Sequence, residues 1–214
     1  SWMKNNWMVN FGLRLDAFKF EYIDKTQSNY QPEEQYQHIF SPKLNVSYNF
    51  SNTLQVYAKL GKGFHSNDAK VVIQNNDNLT LPAAYGADLG LNWKPVPEIF
   101  INAAGWYMML EEELVWSGDA GTWEPSGRTQ RLGLDLSFRW QIMKTLFFDT
   151  DLNLSEAIFI DEPKKANHVP LAPIFTSTGG LKYVQEKGYT NVNAMVAFSG
   201  EVNDPHSLNT RAPD

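Results

Sequence analysis

Residues Arg131 to Gln141 read Arg-Leu-Gly-Leu-Asp-Leu-Ser-Phe-Arg-Trp-Gln. Every second residue is apolar, and each residue between is charged, polar or Gly. A strand turns successive side chains to opposite faces. The segment therefore predicts a strand with one apolar and one polar face, and constrains the fold to whatever meets those two faces.

The pattern recurs. Nine strands are predicted, at about 7–23, 39–50, 54–66, 81–93, 99–116, 128–142, 146–160, 171–185 and 189–199. Val9, Phe11, Leu13, Leu15 and Ala17 oppose Asn10, Gly12, Arg14 and Asp16. Leu44, Val46, Tyr48 and Phe50 oppose Lys43, Asn45, Ser47 and Asn49. Tyr85, Ala87, Leu89, Leu91 and Trp93 oppose Gly86, Asp88, Gly90 and Asn92. Leu146, Phe148, Leu152 and Leu154 oppose Asp149, Asp151, Asn153 and Ser155. No convincing amphipathic helix interrupts the series.

The connections take turns. Short ones are expected at Ser51–Thr53, Lys94–Glu98, Met143–Thr145 and Glu186–Gly188. Long polar ones are expected at Asp24–His38, Asn67–Thr80, Ser117–Gly127 and Asp161–Val169. In an up-and-down meander this places every short turn at one end, the asymmetry of outer-membrane barrels. Upward from each short turn, the apolar face ends after about nine to eleven residues, the length of a tilted strand crossing a bilayer. It then becomes Lys62, Glu111 and Glu113, Glu156, or Lys19 and Glu21. A bilayer imposes one height on all strands, whereas a soluble core does not. Tyr48, Phe50, Trp93, Trp140 and Phe148 lie beside short turns, where an aromatic girdle is expected.

The expected fold is all-β, an antiparallel up-and-down meander forming part of a transmembrane β-barrel over residues 1–214. Leu132, Leu134, Leu136, Phe138 and Trp140 are expected to face lipid. Arg14, Asp16, Lys43, Lys59, Asp88, Arg139, Asp149 and Asp151 are expected to line an aqueous lumen. The alternative is a soluble barrel or sandwich binding an apolar ligand, with the same faces turned inward. Alternation alone favours that commoner class, but the loop asymmetry and the shared band height reverse the preference.

Composition narrows the function. The net charge is −6 with no basic run, which argues against nucleic acid. The chain has no Cys, so disulfides and thiolate metal sites are excluded. His38, His65, His168 and His206 have no short metal-ligand spacing, and no metal or cofactor is expected. No Gly-rich loop precedes a helix. Asp119, Ser126 and His65 could be drawn as a triad, but their spacing does not support one, and no enzyme is expected. Glu111-Glu112-Glu113 reads as the charged top of a strand. His65 and Asp68 are rim candidates for ligand binding. Arg128 and Arg131 are candidates for an anionic ligand, with pairing to acids such as Asp135 as the plainer and preferred reading.

Four stretches, in order, resemble one family. Gly61-Lys62-Gly63-Phe64-His65-Ser66-Asn67-Asp68-Ala69 is similar to the Gly-x-Gly-Phe-His-Ser-Asn-Asp-Ala segment of many TonB-dependent outer-membrane receptors. Leu81 to Gly90 resembles their next strand. Glu124-Pro125-Ser126-Gly127-Arg128-Thr129, followed by Leu132-Gly133-Leu134-Asp135-Leu136, resembles a later one. Val169-Pro170-Leu171-Ala172-Pro173 with Thr176–Leu181 resembles another. The resemblance covers most of residues 39–185. It implies a barrel wall in the bacterial outer membrane, in contact with its lipid, and active uptake of a scarce ligand such as a metal chelate. It also implies a plug domain and a TonB box contacting TonB, neither of which is found in this sequence. Such barrels have 22 strands, and an odd count cannot close. The chain is therefore expected to be a strip from the C-terminal half of a barrel, with the ligand itself unspecified.

Overall fold

A computed structural model describes residues 1–23, 32–65, 81–112, 114–117, 122–125, 127–163, 167–169, 172–184 and 191–200. Among the described residues there are twelve strands: β1 (Trp2–Lys4), β2 (Trp7–Tyr22), β3 (Glu33–Asn49), β4 (Leu54–Phe64), β5 (Ala83–Trp93), β6 (Ile99–Leu110), β7 (Leu114–Ser117), β8 (Thr122–Pro125), β9 (Thr129–Met143), β10 (Leu146–Phe159), β11 (Phe175–Val184) and β12 (Asn191–Gly200). Ten form one sheet in the order β1-β2-β3-β4-β5-β6-β9-β10-β11-β12, and β7 and β8 form a separate hairpin. Every pairing is antiparallel and between sheet neighbours in chain order. This is the expected meander, and among the described residues the sheet does not close on itself.

Each of the nine expected strands is present, and the differences have local causes. β1 is additional. It folds onto β2 through Asn5-Asn6, and Asn5 takes a left-handed φ of 51°, a conformation that Asn tolerates. β3 begins at Glu33, six residues before the expected start, because it pairs with β2 as far as Tyr22↔Glu33. The expected strand 99–116 stops at Leu110. There the Glu111 carboxylate accepts a hydrogen bond from Ala83 N at 3.0 Å, and Glu111 N donates to Ala83 O at 2.9 Å, closing the end of the β5–β6 ladder. Its remainder becomes β7, one arm of the separate β7–β8 pair.

β11 begins at Phe175 rather than 171. Val169 N donates to Ala157 O at 3.0 Å and Ser155 N to Ile174 O at 2.8 Å. Only Glu156 stands between Ser155 and Ala157 on β10, and Pro173 immediately precedes Ile174. Pro has no N–H for the ladder, so pairing resumes after it. The turn expected at Glu186–Gly188 lies outside the described residues.

The short turns are tied together. Ser51 Oγ accepts from Thr53 N and Leu54 N, both at 3.1 Å, and Lys94 N donates to Thr53 O at 2.7 Å. The register also fixes the tilt. One continuous row of partners runs Val9, Val46, Ala58, Leu89, Gly105, Leu134, Leu154, Phe175, Gly200. Val9 stands two residues above the start of β2, and Gly200 nine above the start of β12. A climb of seven residues over eight strand steps, at 3.3 Å per residue and 4.8 Å per step, is a tilt of about 30°. That is close to the tilt of transmembrane barrels, roughly 35–45°.

There is almost no interior. Among the described residues the buried apolar side chains are Phe20, Ile39, Pro82 and Ala83, while Leu89, Leu132 and Leu134 are 65%, 60% and 61% exposed. A soluble barrel or sandwich would bury these leucines. Here they form one continuous outward apolar face.

Candidate functional site: lumen wall and rim

The face opposite the leucines is a polar wall. Alternation places Arg14, Asp16, Lys43, Lys59, Asp88, Asp135, Arg139, Asp149 and Asp151 on it, as expected, and the register brings opposite charges together. Arg14 pairs with Asp16 at 2.6 Å, and Lys59 with Asp88 at 4.0 Å. Arg139 lies 3.3 Å from Asp149 and 2.9 Å from Asp151, and its Nη1 donates to Thr150 O at 3.0 Å. Ser137 donates to Asp151 at 2.6 Å. Nearer the short turns an amide chain crosses four strands. Gln55 donates to Asn49 at 2.8 Å and Asn92 donates to Gln55 at 3.1 Å, while Asn102 donates to Asn92 at 2.8 Å and to the Tyr57 hydroxyl at 3.1 Å.

Two aromatic side chains lie flat on this wall because a neighbouring strand offers Gly. Tyr57 covers Gly90, its register partner, and reaches Asn102. Trp106 covers Gly133, its partner, and its Nε1 donates to Asp135 at 3.0 Å. A Cβ at either Gly would collide with the ring. Sequence reading missed both pairs, since only the register brings them together.

The polarity of β2 inverts above Ala17. Lys19 and Glu21 turn outward, so Phe18 and Phe20 turn to the lumen. Their rings stack at 5.9 Å, and Phe64 meets Phe18 edge-on at 5.5 Å. Phe20 and Ile39 are buried here, and Arg14 sits 5.9 Å from the Phe64 ring centre. This rim cluster of three rings and a guanidinium was also missed. Its signal is the reversal of alternation at Phe18.

The four site candidates do not converge. His65 is an exposed residue at the end of β4, with its N donating to Pro82 O at 3.0 Å. Asp68 lies outside the described residues. Arg131 is on the lumen face, opposite Met108 and Ala157. Arg128 does not pair with Asp135, which accepts hydrogen bonds from Trp106 and Asn153. Its partner is Asp161, with Nη2 to Oδ1 at 2.6 Å and Nε to Oδ2 at 3.1 Å, and Arg128 N adds a 3.4 Å contact. The hydrogen bonds from Arg128 hold the Asp161 carboxyl below its ordinary pKa. Gly127 supplies the left-handed φ of 80° that brings the chain to this ion pair. Among the described residues no group of His, Asp or Glu has the arrangement of a metal site.

The wall, the tilt and the outward leucines describe a strip of membrane barrel, and the sequence model of the TonB-dependent receptor-like β-barrel matches residues 1–213. The chain belongs to that family. No curated protein matches the sequence. Among solved receptors, the ferric-catecholate import receptor Fiu of E. coli K12 is 16% identical with a TM-score of 0.68, over 92% of this chain and 32% of that one. The ferric citrate transporter FecA is 16% identical with a TM-score of 0.72, over 91% and 30%. The copper transporter OprC is 15% identical with a TM-score of 0.70, over 90% and 31%. These likenesses establish the fold. The chain spans about a third of the length of the receptors it matches. The family is one of transporters and receptors.

Proposed function

We propose that this chain is part of the barrel wall of a TonB-dependent receptor that takes up a scarce ligand, such as a metal chelate, across the bacterial outer membrane. One observation carries the reading: a continuous outward apolar band on a tilted meander, backed by a charged wall whose ions stay half-exposed. Charges on that face can remain hydrated only beside water, which is the condition of a wide lumen. TonB-driven movement of a plug would open the path, and no covalent step is involved. Solved receptors of the same fold are named for ferric-catecholate import, ferric citrate transport and copper transport, and these names support a metal or its chelate as the ligand class.

Ligand recognition is assigned to the rim. Phe18 and Phe64 offer ring faces beside the buried Phe20, Arg14 offers a cation, and His65 follows Phe64 directly. Asp68, Arg128 and Arg131 remain candidates for the same rim and lumen. The test is uptake of radiolabelled ferric chelates by cells carrying the complete receptor, with and without functional TonB. The reading expects uptake that needs both. Uptake unchanged when the receptor or TonB is removed contradicts it.

A further inference from the structure

The outward band has a built feature at its upper edge. Lys62, Tyr85 and Tyr107 each stand eight residues above the turn end of their strands, at Leu54, Trp93 and Ile99. At a tilt of about 30°, eight residues rise about 23 Å, close to the roughly 25 Å apolar band of such barrels. These three side chains therefore share the level where hydrocarbon gives way to head groups. The outward carboxylates lie higher: Glu156 is ten residues above Leu146, and Glu111 is twelve above Ile99.

Directly below Lys62 runs an outward furrow of about 520 Å³, lined by Phe11, Pro42, Leu44, Leu60, Ala87 and Tyr107. The small side chain of Ala87 opens it between Leu60 and Tyr107, its partners on either side in the register. The Lys62 ammonium lies 5.7 Å from the Tyr85 ring centre. Among the described residues it forms no ion pair. Lys19, the outward lysine of β2, is taken by Glu34 at 2.7 Å and Glu21 at 3.5 Å. Glu111, the nearest outward acid of β6, is committed to Ala83 N and to the Tyr85 hydroxyl.

We propose that this furrow is a lipid site: one acyl chain lies along Leu44, Leu60 and Ala87, and the anionic phosphate head group rests on Lys62. The inference rests on the outer-membrane reading above. An ammonium at the edge of hydrocarbon needs a counter-charge or water. A furrow with an apolar floor and a cationic head supplies both halves of an anionic lipid's complement. A free phosphate would leave the floor exposed, so the lipid is the occupant.

The test uses the complete receptor carrying this chain, in phosphatidylcholine vesicles containing a trace of spin-labelled phosphatidylglycerol or spin-labelled phosphatidylcholine. The motionally restricted fraction of each label is read by electron paramagnetic resonance. Wild type is expected to prefer phosphatidylglycerol at this site by about five-fold, the effect of one lysine near an anionic surface. Lys62→Gln should abolish the preference and Lys62→Arg should retain it. Ala87→Phe, which fills the furrow, should lower the restricted phosphatidylglycerol. Heat-modifiable gel mobility confirms that each variant is folded. Equal selectivity in wild type and Lys62→Gln overturns the site, with Lys62 simply reaching water, while leaving the membrane reading intact. No restricted lipid of either kind in any variant overturns the membrane reading itself.

Discussion

At the scale of single residues, this wall is held by pairs that only the register creates. Gly133 and Gly90 have a φ any residue can adopt. Their role is to leave room for Trp106 and Tyr57. Gly133→Ala is expected to push Trp106 off Asp135 and to cost about 1–3 kcal/mol as overpacking, read by urea titration of tryptophan fluorescence in lipid vesicles. The Arg128–Asp161 pair makes a different prediction. Because the Asp161 carboxyl is held below its ordinary pKa, its stabilising contribution is present above the unfolded-state value and is lost as pH falls through the depressed folded value. The pair should therefore persist at neutral pH and open only in strong acid. Asp161→Asn should free Arg128 at neutral pH, and trypsin cleavage after Arg128 should rise several-fold by mass spectrometry. An unchanged cleavage rate would show that Asp161 does not restrain the loop base. None of these partners was legible in the sequence. Asp161 is 33 positions from Arg128, and Asp135 was the nearer acid in sequence.

At the scale of strands, the sequence was far more informative. Period-two alternation located most of the nine long strands, since a half-exposed strand must alternate wherever two environments meet it, while the Thr/Gly-rich stretch from Phe175 to Tyr183 shows its faces less clearly. Their starts at Trp7, Leu54, Ile99 and Leu146 fall within one residue of expectation, because the Ser, Pro and Lys-Thr turns there are short. The errors fall where alternation gives no guide. Asn5-Asn6 between apolar residues is a turn signal that was not used, so β1 was missed. The upper ends of β3, β6 and β11 depend on Tyr22, Glu111 and Pro173, through long-range pairing, a side-chain hydrogen bond and a missing N–H. The two faces should also respond differently to mutation. Leu89→Arg is expected to cost about 2–4 kcal/mol, since it places a charge in the middle of the apolar band, four residues above Trp93. Lys59→Gln on the lumen face, breaking an exposed pair at 4.0 Å, should cost less than about 1 kcal/mol. Both are read as urea midpoints in vesicles. Equal costs would mean that the faces do not differ in environment.

At the scale of the molecule, nearly all of the large apolar surface points outward, and the strip has a direction. Trp7, Tyr48, Phe50, Trp93 and Trp140 mark the turn end, with Trp7 and Tyr48 in ring contact at 4.7 Å and Tyr48 and Phe50 at 4.8 Å. Lys62, Tyr85 and Tyr107 mark the opposite level. This chain contributes no Cys, so with any Cys elsewhere in the complete receptor replaced, the face that meets lipid can be measured directly. Single cysteines placed at each position from 132 to 141 in the complete receptor, nitroxide-labelled in bilayers, report collisions with oxygen and with a water-soluble nickel chelate. Even positions, Leu132 through Trp140, should favour oxygen, and odd positions, Gly133 through Gln141, should favour the chelate, with a period of two. The reverse phase, or even positions hidden from both reagents, would contradict the assignment of this face to the membrane.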